Sequence, residues 1–352
     1  MTETIDTVEN RSEIVFLYDA VDANPNGNPL SGANRPRIDP QTQQAIVTDV
    51  RLKRYLRDQL DDDGHGVYVR NVREDGHSYT REQLLQDRIQ ELDLDEIADE
   101  DLEDEVFAEF LDNSADVRYF GATMSVDADD RIAKNLPDHF TGPVQFSPGK
   151  TLHAVNENEE YNSLTSVIAT QKGKEQGGFD LDDHRIQYGL IAFHGLVDEH
   201  GAEDTRLTEE DVRRLDTLCW RAIKNQTISR SKVGQEPRLY LRVEYEGESY
   251  HIGGLTHDLS LDGDRSKPDD ELRSIRDLSL DVTELVGRLD ANSDRIKRVH
   301  VAASDVLRVT YGDQSGDSDV LYNALGDAVG DDAANVINVY EEYSSTRPDP
   351  AG

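Results

Sequence analysis

Apolar positions recur along the chain with two periods, and these sort it into strands and helices. Glu13 to Val21 reads EIVFLYDAV, a β-branched and aromatic run that predicts a buried first strand. The next stretch, DANPNGNPLSGANRPRIDPQTQQ, is dense in Asn, Pro and Gly and predicts a long irregular loop. Loops of this length inside a compact domain are usually functional. Thr48 with Asp49 is a helix start. The VRLKRYLRDQL that follows puts Val50, Leu52, Tyr55, Leu56 and Leu60 largely on one side, with Arg51, Lys53, Arg54 and Arg57 elsewhere.

GHGVYVRNV predicts a short strand. From Ile89 to Val117 the apolar residues Leu94, Ile97, Leu102, Val106 and Phe110 recur at helical spacing. DVRYFGATMSV is strand-like, and TGPVQFSPGKTLHAV alternates turn signals with apolar residues. Asn156 to Asp183 is polar, with little core material, and predicts an extended insertion or hairpin. RIQYGLIAFHGLVD is a strong strand, and Thr208 opens a helix through Leu215 and Ile223. PRLYLRVEYEG and SYHIGGLTHDL predict strands. RIKRVHVAASDVLRVTY predicts one or two more, and Tyr322 to Tyr343 a helix. Helices and strands mix without a βαβ rhythm, so the fold class is α+β. There is no internal repeat and no flexible interdomain linker. One elaborated domain over residues 13–345 is predicted, with flexible ends at 1–12 and 346–352.

Composition changes the picture in one respect. The 352 residues hold 73 acidic against 37 basic side chains, a formal net charge of −36, and 36% are hydrophobic. Low hydrophobicity with high charge also describes disordered chains, but the periodic apolar pattern argues for a core. Adaptation to molar salt reconciles the two. There the Debye length falls to roughly 3 Å and self-repulsion is screened, while carboxylates keep the surface hydrated. Cys219 is the sole cysteine, which excludes an intrachain disulfide and any cysteine cluster for a metal. The opening MTETIDTVENRSE lacks the apolar centre of a signal peptide, and no run approaches the roughly 18 apolar residues of a membrane span. A cytoplasmic protein with no membrane partner is expected.

Positive charge is gathered in two islands. Arg35, Arg37, Arg51, Lys53, Arg54 and Arg57 stand against Asp39 and Asp49; Arg221, Lys224, Arg230, Lys232, Arg238 and Arg242 stand against Glu236 alone. Two readings stay open: a path for a polyphosphate, or local pairing with acidic groups elsewhere in the fold. The segment from Ile89 to Val117 has no basic residue and should point away from nucleic acid.

Catalytic motifs are absent. Gly149-Lys150-Thr151 would end a phosphate-binding loop only with glycine where Val144 stands. The histidines lack metal spacing, and Asp258, Asp262 and Asp264 lack the alternation and closing glutamate of a calcium loop. No cofactor or metal is expected. Asp19 and Asp22, at the end of the first strand, suit either acid–base or metal chemistry or the capping of the loop behind them.

Several blocks together resemble a known family. DANPNGNP, TDVRLKRYLRD, DVRYFGA (Asp116 to Ala122), TGPVQFSPGKTLH (Thr141 to His153), YGLIAFHG (Tyr188 to Gly195) and LCWRAIKNQTISRSKVGQEPR (Leu218 to Arg238) occur in order. They resemble the backbone subunits of type I CRISPR Cascade complexes, I-B and I-C above all. The resemblance spans about residues 13 to 245 and weakens beyond. It implies an RNA-recognition-like (ferredoxin-like) palm, a helical finger insertion placed here at 75–115, and a β-hairpin thumb at 147–185. It implies copies polymerised along a CRISPR RNA (crRNA), a non-catalytic role, and pairing of the guide with target DNA. The implied partners are other copies of the chain, the crRNA-processing endonuclease, the 5′-end-capping subunit and the large subunit. Carried over by position, Arg51, Lys53, Arg54 and Arg57 are the first candidates for guide phosphates. Gln145, Lys150 and His153 are second, and Arg230 and Lys232 third. Lys172 and Lys174 fall on the thumb. The competing reading is a metal-dependent ribonuclease of the type III backbone kind using Asp19 or Asp22. Asn28 stands where relatives often have aspartate.

Overall fold

A computed structural model describes residues 6–28, 30, 34–74, 77–89, 97–98, 102–124, 139–158, 164–165, 180–181, 183–226, 232–263 and 267–345. Lys172, Lys174 and Arg230 lie outside the described residues.

The frame is a sheet built on two long strands, β1 (Ser12–Ala23) and its antiparallel neighbour β4 (Arg185–Val197). Between them in the chain come helices α1 (Asp49–Asp62), α2 (Arg81–Arg88), α3 (Leu102–Asp112) and α4 (Ala115–Phe120). Short strands β2 (Val144–Phe146) and β3 (Gly149–Thr151) follow and pair with β4 on its far side. After β4 come α5 (Glu199–Thr205), α6 (Glu209–Lys224) and β5 (Gln235–Tyr245), which pairs antiparallel with the other edge of β1. Helix α7 (Thr283–Ala291), β6 (Ile296–Ala303), α8 (Ser318–Val329), β7 (Ala334–Val336) and α9 (Val339–Ser345) complete the chain. The spatial order is β7-β6-β5-β1-β4-β3, with Ile46–Val47 paired beyond β3.

Strand β1 is buried on both faces because its residues alternate between two cores. Ile14, Phe16, Tyr18 and Ala20 face a core shared with α1 and α6, through Leu52, Tyr55, Leu56, Leu215 and Leu218. Val15 and Leu17 face a second core with α7 and α8, through Leu285, Leu289, Leu321 and Leu325. No sheet face is left bare at β1. A third core, of Leu84, Leu85, Leu102, Val106, Phe110 and Val117, belongs to the helical insertion.

Local chemistry accounts for the helix starts. Thr48 is extended and its hydroxyl accepts from the Arg51 N–H, while Asp49 complements the dipole of the first turn. Thr208 and Asp211 form a capping box at α6.

Six expectations need correction. Gly64 to Val72 forms no strand. Asp116 to Phe120 is helical, and among the described residues of that run Gly121–Thr123 is extended. SYHIGGLTHDL is loop and 3-10 turn, with Gly253 and Gly254 at positive φ, which β-structure cannot accommodate. Tyr322 to Tyr343 splits into α8, β7 and α9 at Gly330, also at positive φ. Finally, residues 7–11 are held down: Val8 is buried and its N–H donates to the Leu207 carbonyl, and Arg11 pairs with Glu199 at 2.8 Å. The expected 147–185 hairpin also begins late, since Gly149–Thr151 and Glu157–Asn158 pair with β4. Leu164–Thr165 pairs with Asp180–Leu181 in a separate two-stranded ladder.

Candidate nucleic-acid interface

The loop after β1 is anchored one residue at a time, each to a different element. The Asn24 carbonyl accepts from the Lys232 ammonium, in the turn before β5. The Pro25 carbonyl accepts from the Tyr55 hydroxyl of α1 at 3.2 Å. The Asn26 side-chain oxygen accepts from both the N–H and the hydroxyl of Thr48, the α1 cap. Gly27 has to be glycine: a Cβ there would lie 2.6 Å from the Asn34 carbonyl oxygen. The Asn24 amide donates to that same carbonyl and closes the loop. NPNG is therefore a clamp that fixes the start of α1 against the turn before β5.

Two acid-free runs of the chain meet at this junction, where Asp49 is the acidic residue of the first turn of α1. The sequence has no acidic residue from Ala23 to Ile38 and none from Thr217 to Gln235, runs of 16 and 19 residues in a chain with 73 acids. The fold brings both runs to one place. Arg51 lies over the Tyr55 ring, 5.7 Å from its centroid. Lys232 is buried, and burial first, then the Arg51 charge, push its amine down to about 7. Among the described residues neither cation has a carboxylate partner. The exposed side chains of Val50 and Val233 adjoin them in sequence.

The other sequence candidates divide. Lys53 donates to the Gln145 side chain at 2.7 Å, which brings two of them together; Asp49 lies 3.7 Å away and the Phe120 ring beneath. Arg54 is exposed and pairs with Asp58. Lys150 is exposed on β3 and lines a pocket of about 490 Å³ with Gln44, His194 and His257.

Arg57 and His153 serve the fold instead. Arg57 pairs at 2.9 Å with Asp116, a fully buried carboxylate that also accepts from the Tyr68 and Val69 N–H groups. His153 is buried and stacked on Tyr188, and its Nε2 accepts from the Leu190 N–H. The second island is largely paired as well: Arg221 with Asp63 at 2.7 Å, Lys224 with Glu236, Arg238 with Asp19 at 2.9 Å, and Arg242 through two bonds with Asp216. Of its five described members only Lys232, buried beside Arg51, joins the candidate surface. The partners Asp63, Asp19 and Asp216 are distant in sequence, so spacing gave no signal of them.

Asp19 has no exposed surface, and burial raises its carboxyl to about 6 despite Arg238. Asp22 stands at φ 44° and accepts from the Asn158 amide at 2.8 Å. Among the described residues no group of three His, Cys, Asp or Glu side chains could hold a metal, and no helix is long and apolar enough to cross a membrane.

Comparison with known proteins decides the family. Residues 10–283 match the family described as "CRISPR-associated protein Cas7". The chain belongs to the Cas7 family. A Cas7 protein from Haloferax volcanii is 53% identical over 333 residues, covering 92% of this chain and 95% of its own length. Two solved chains from CRISPR RNA-guided surveillance complexes, one in a pre-nicking state, are 12% and 13% identical. They cover 90% and 96% of this chain, and 100% and 98% of their own, with TM-scores of 0.46 and 0.45.

Proposed function

We propose that this Cas7-family chain is the crRNA-binding backbone subunit of a type I Cascade complex. One observation carries the site: two acid-free runs of a strongly acidic chain meet at the start of α1, around Arg51 and Lys232. An anionic protein that holds RNA must clear carboxylates from the path of the strand. The grip runs from that junction across the exposed Arg54 to the Lys53–Gln145 pair, with Lys150 on the neighbouring strand. Arg230, Lys172 and Lys174 extend it as candidate contacts. In molar salt each phosphate contact is weak, with a slope of roughly −0.7 in log K per neutralised phosphate. Many copies on one RNA then supply the affinity. The acidic composition fits a salt-adapted protein.

The palm is RNA-recognition-like in this reading. Its support is the order β1-α1-β2/β3-β4-α6-β5 with β5-β1-β4-β3 adjacent and antiparallel. Helices α2 and α3 belong to the finger at 75–115, and the thumb occupies the chain between β3 and β4. Because α7 and α8 cover one sheet face and α1 and α6 the other, RNA lies along the helix edge and not on the strands. The role is non-catalytic and cytoplasmic, with target DNA, other copies, the processing endonuclease, the 5′-end-capping subunit and the large subunit as partners. A ribonuclease using Asp19 is disfavoured by the burial of Asp19 and its pairing with Arg238.

Purification in molar KCl, followed by sequencing of the bound RNA, tests the reading. RNAs with one shared repeat-derived end are expected; protein free of RNA, or bound to unrelated transcripts, would overturn it. Incubation with complementary RNA and Mg²⁺ should leave the RNA intact.

A further inference from the structure

We infer that Arg51 and Lys232 form a two-cation seat for one guide phosphodiester, with the exposed Val50 and Val233 beside it against the adjoining sugar or base. This deepens the RNA-binding reading and rests on it. The seat holds the strand more tightly at lower pH, where Lys232 carries its charge.

Geometry comes first. Lys232 and Tyr55 bind the adjacent carbonyls of Asn24 and Pro25, which sets the lysine beside the first turn of α1. Arg51 stands over the Tyr55 ring on that turn. Two cations thus share one site, and among the described residues neither is paired with a carboxylate. Such an arrangement is unfavourable when empty, since like charges repel and the lysine is desolvated. A phosphodiester, singly negative across the neutral range, satisfies both. The Val50 and Val233 side chains, 69% and 59% exposed, are the apolar part of the contact.

The groups facing Lys232 leave one titration. From α1 come the Arg51 guanidinium and Tyr55, whose hydroxyl burial raises above its usual range. On β1, within reach of Tyr55 and Arg51, is Tyr18, whose hydroxyl burial raises well above that range. From the loop comes the Asn24 carbonyl, and from β5 the Gln235 amide, which donates to the Lys232 carbonyl at 3.0 Å. Of these groups, Lys232 alone changes charge near neutrality.

Full-length chain is titrated with a fluorescent guide-length RNA at fixed KCl, from about pH 6 to about pH 9. Wild type is expected to lose affinity roughly tenfold or more as Lys232 deprotonates. Lys232→Arg should bind with much of that pH dependence gone, and Lys232→Gln should bind weakly and without it. Val233→Ser should weaken binding a few-fold and keep the wild-type slope. A Lys232→Arg protein with the full wild-type slope overturns the seat, whether or not Lys232→Gln folds by circular dichroism. So does a folded Lys232→Gln protein of wild-type affinity. Wild type that binds no RNA at any pH overturns the broader reading instead.

Discussion

The two basic islands hold six cations each, yet the fold uses them in opposite ways. The island at Arg221 to Arg242 is drawn inward: Arg221 and Arg242 are each 3% exposed and paired with carboxylates at least as buried. The island at Arg35 to Arg57 keeps Arg35 and Arg54 in solvent and Arg51 without a carboxylate. Local charge density is nearly equal in the two. What differs is the element beneath. The second island lies on α6 and β5, where both faces are covered, so its cations had to find counter-charges or stay out. The first sits on a loop and one side of α1, where only Leu52, Tyr55, Leu56 and Leu60 are drawn into the core.

The sharpest way to break this contrast is to remove one half of a buried pair. Arg242→Met leaves Asp216 with the Tyr240 hydroxyl and His300 near it but no guanidinium. An uncompensated buried carboxylate costs about 3–5 kcal/mol. A urea midpoint indistinguishable from wild type in the same KCl would remove the claim that this island is structural. Replacing Arg51, Lys53 and Arg54 together with alanine is the converse experiment. It should leave the midpoint nearly unchanged, weaken RNA binding by roughly tenfold to a hundredfold, and flatten the salt slope by about one to two units. Unchanged guide occupancy in the isolated complex would refute the path along α1.

These two experiments also mark how far the sequence could be read. Strand β1, α1 with its Thr48 cap, β4 and α6 were legible because each carries its own period and punctuation. The family blocks were legible because they recur in order. The helical turn at Asp116 to Phe120 was not, since its apolar residues serve as well in a strand. Its helical form depends on Asp116, whose carboxylate accepts two N–H groups and an arginine from other segments. Among the site residues, Lys53 and Gln145 were both nominated and the fold joins them by a hydrogen bond, while Arg51 stands over Tyr55 without a carboxylate. Arg57 and His153 were not separable from them, because burial of a polar side chain depends on partners far away in the chain. The absence of acid across Ala23 to Ile38 and Thr217 to Gln235 was readable all along, and gains its meaning only when the fold joins the two runs.

A smaller effect separates the two ends of β1. Glu13 and Asp19 share the face toward α7 and α8, both fully buried. Burial alone would raise both carboxyls. At Glu13 the His194 ring, the Gly253 and Leu255 N–H groups and the Tyr245 hydroxyl prevail and hold the group at about 2. At Asp19 burial wins over Arg238, giving about 6. The signs are therefore opposite. Glu13 contributes stability that is present above its unfolded value near 4.5 and is lost as pH falls toward 2. Asp19 contributes stability that is present below its unfolded value near 3.8 and is lost as pH rises through 6. Glu13→Gln should flatten the acid limb of a pH–stability curve, whereas Asp19→Asn should flatten the slope between about pH 4 and 6. An acid limb as steep in Glu13→Gln as in wild type would mean that the loop at Gly253 is not latched by this carboxylate.

The smallest expected effect lies where the islands look most alike. Lys224 and Arg54 are both near half exposed, at 43% and 47%, and each faces one carboxylate, Glu236 or Asp58. Exposed pairs of this kind contribute about 0–1 kcal/mol, and less in high salt. Lys224→Ala and Arg54→Ala should therefore be alike in unfolding, each within about 0.5 kcal/mol of wild type. They should part on RNA. Arg54 stands on the outward side of α1 between Arg51 and Lys53, so its loss should lower the salt slope by about 0.7 and weaken binding a few-fold. Lys224 closes α6, directed to Glu236, and its loss should change neither. Equal RNA slopes for the two variants would place the strand somewhere other than α1, because solvent exposure and a single acidic partner are the same for both and only position differs.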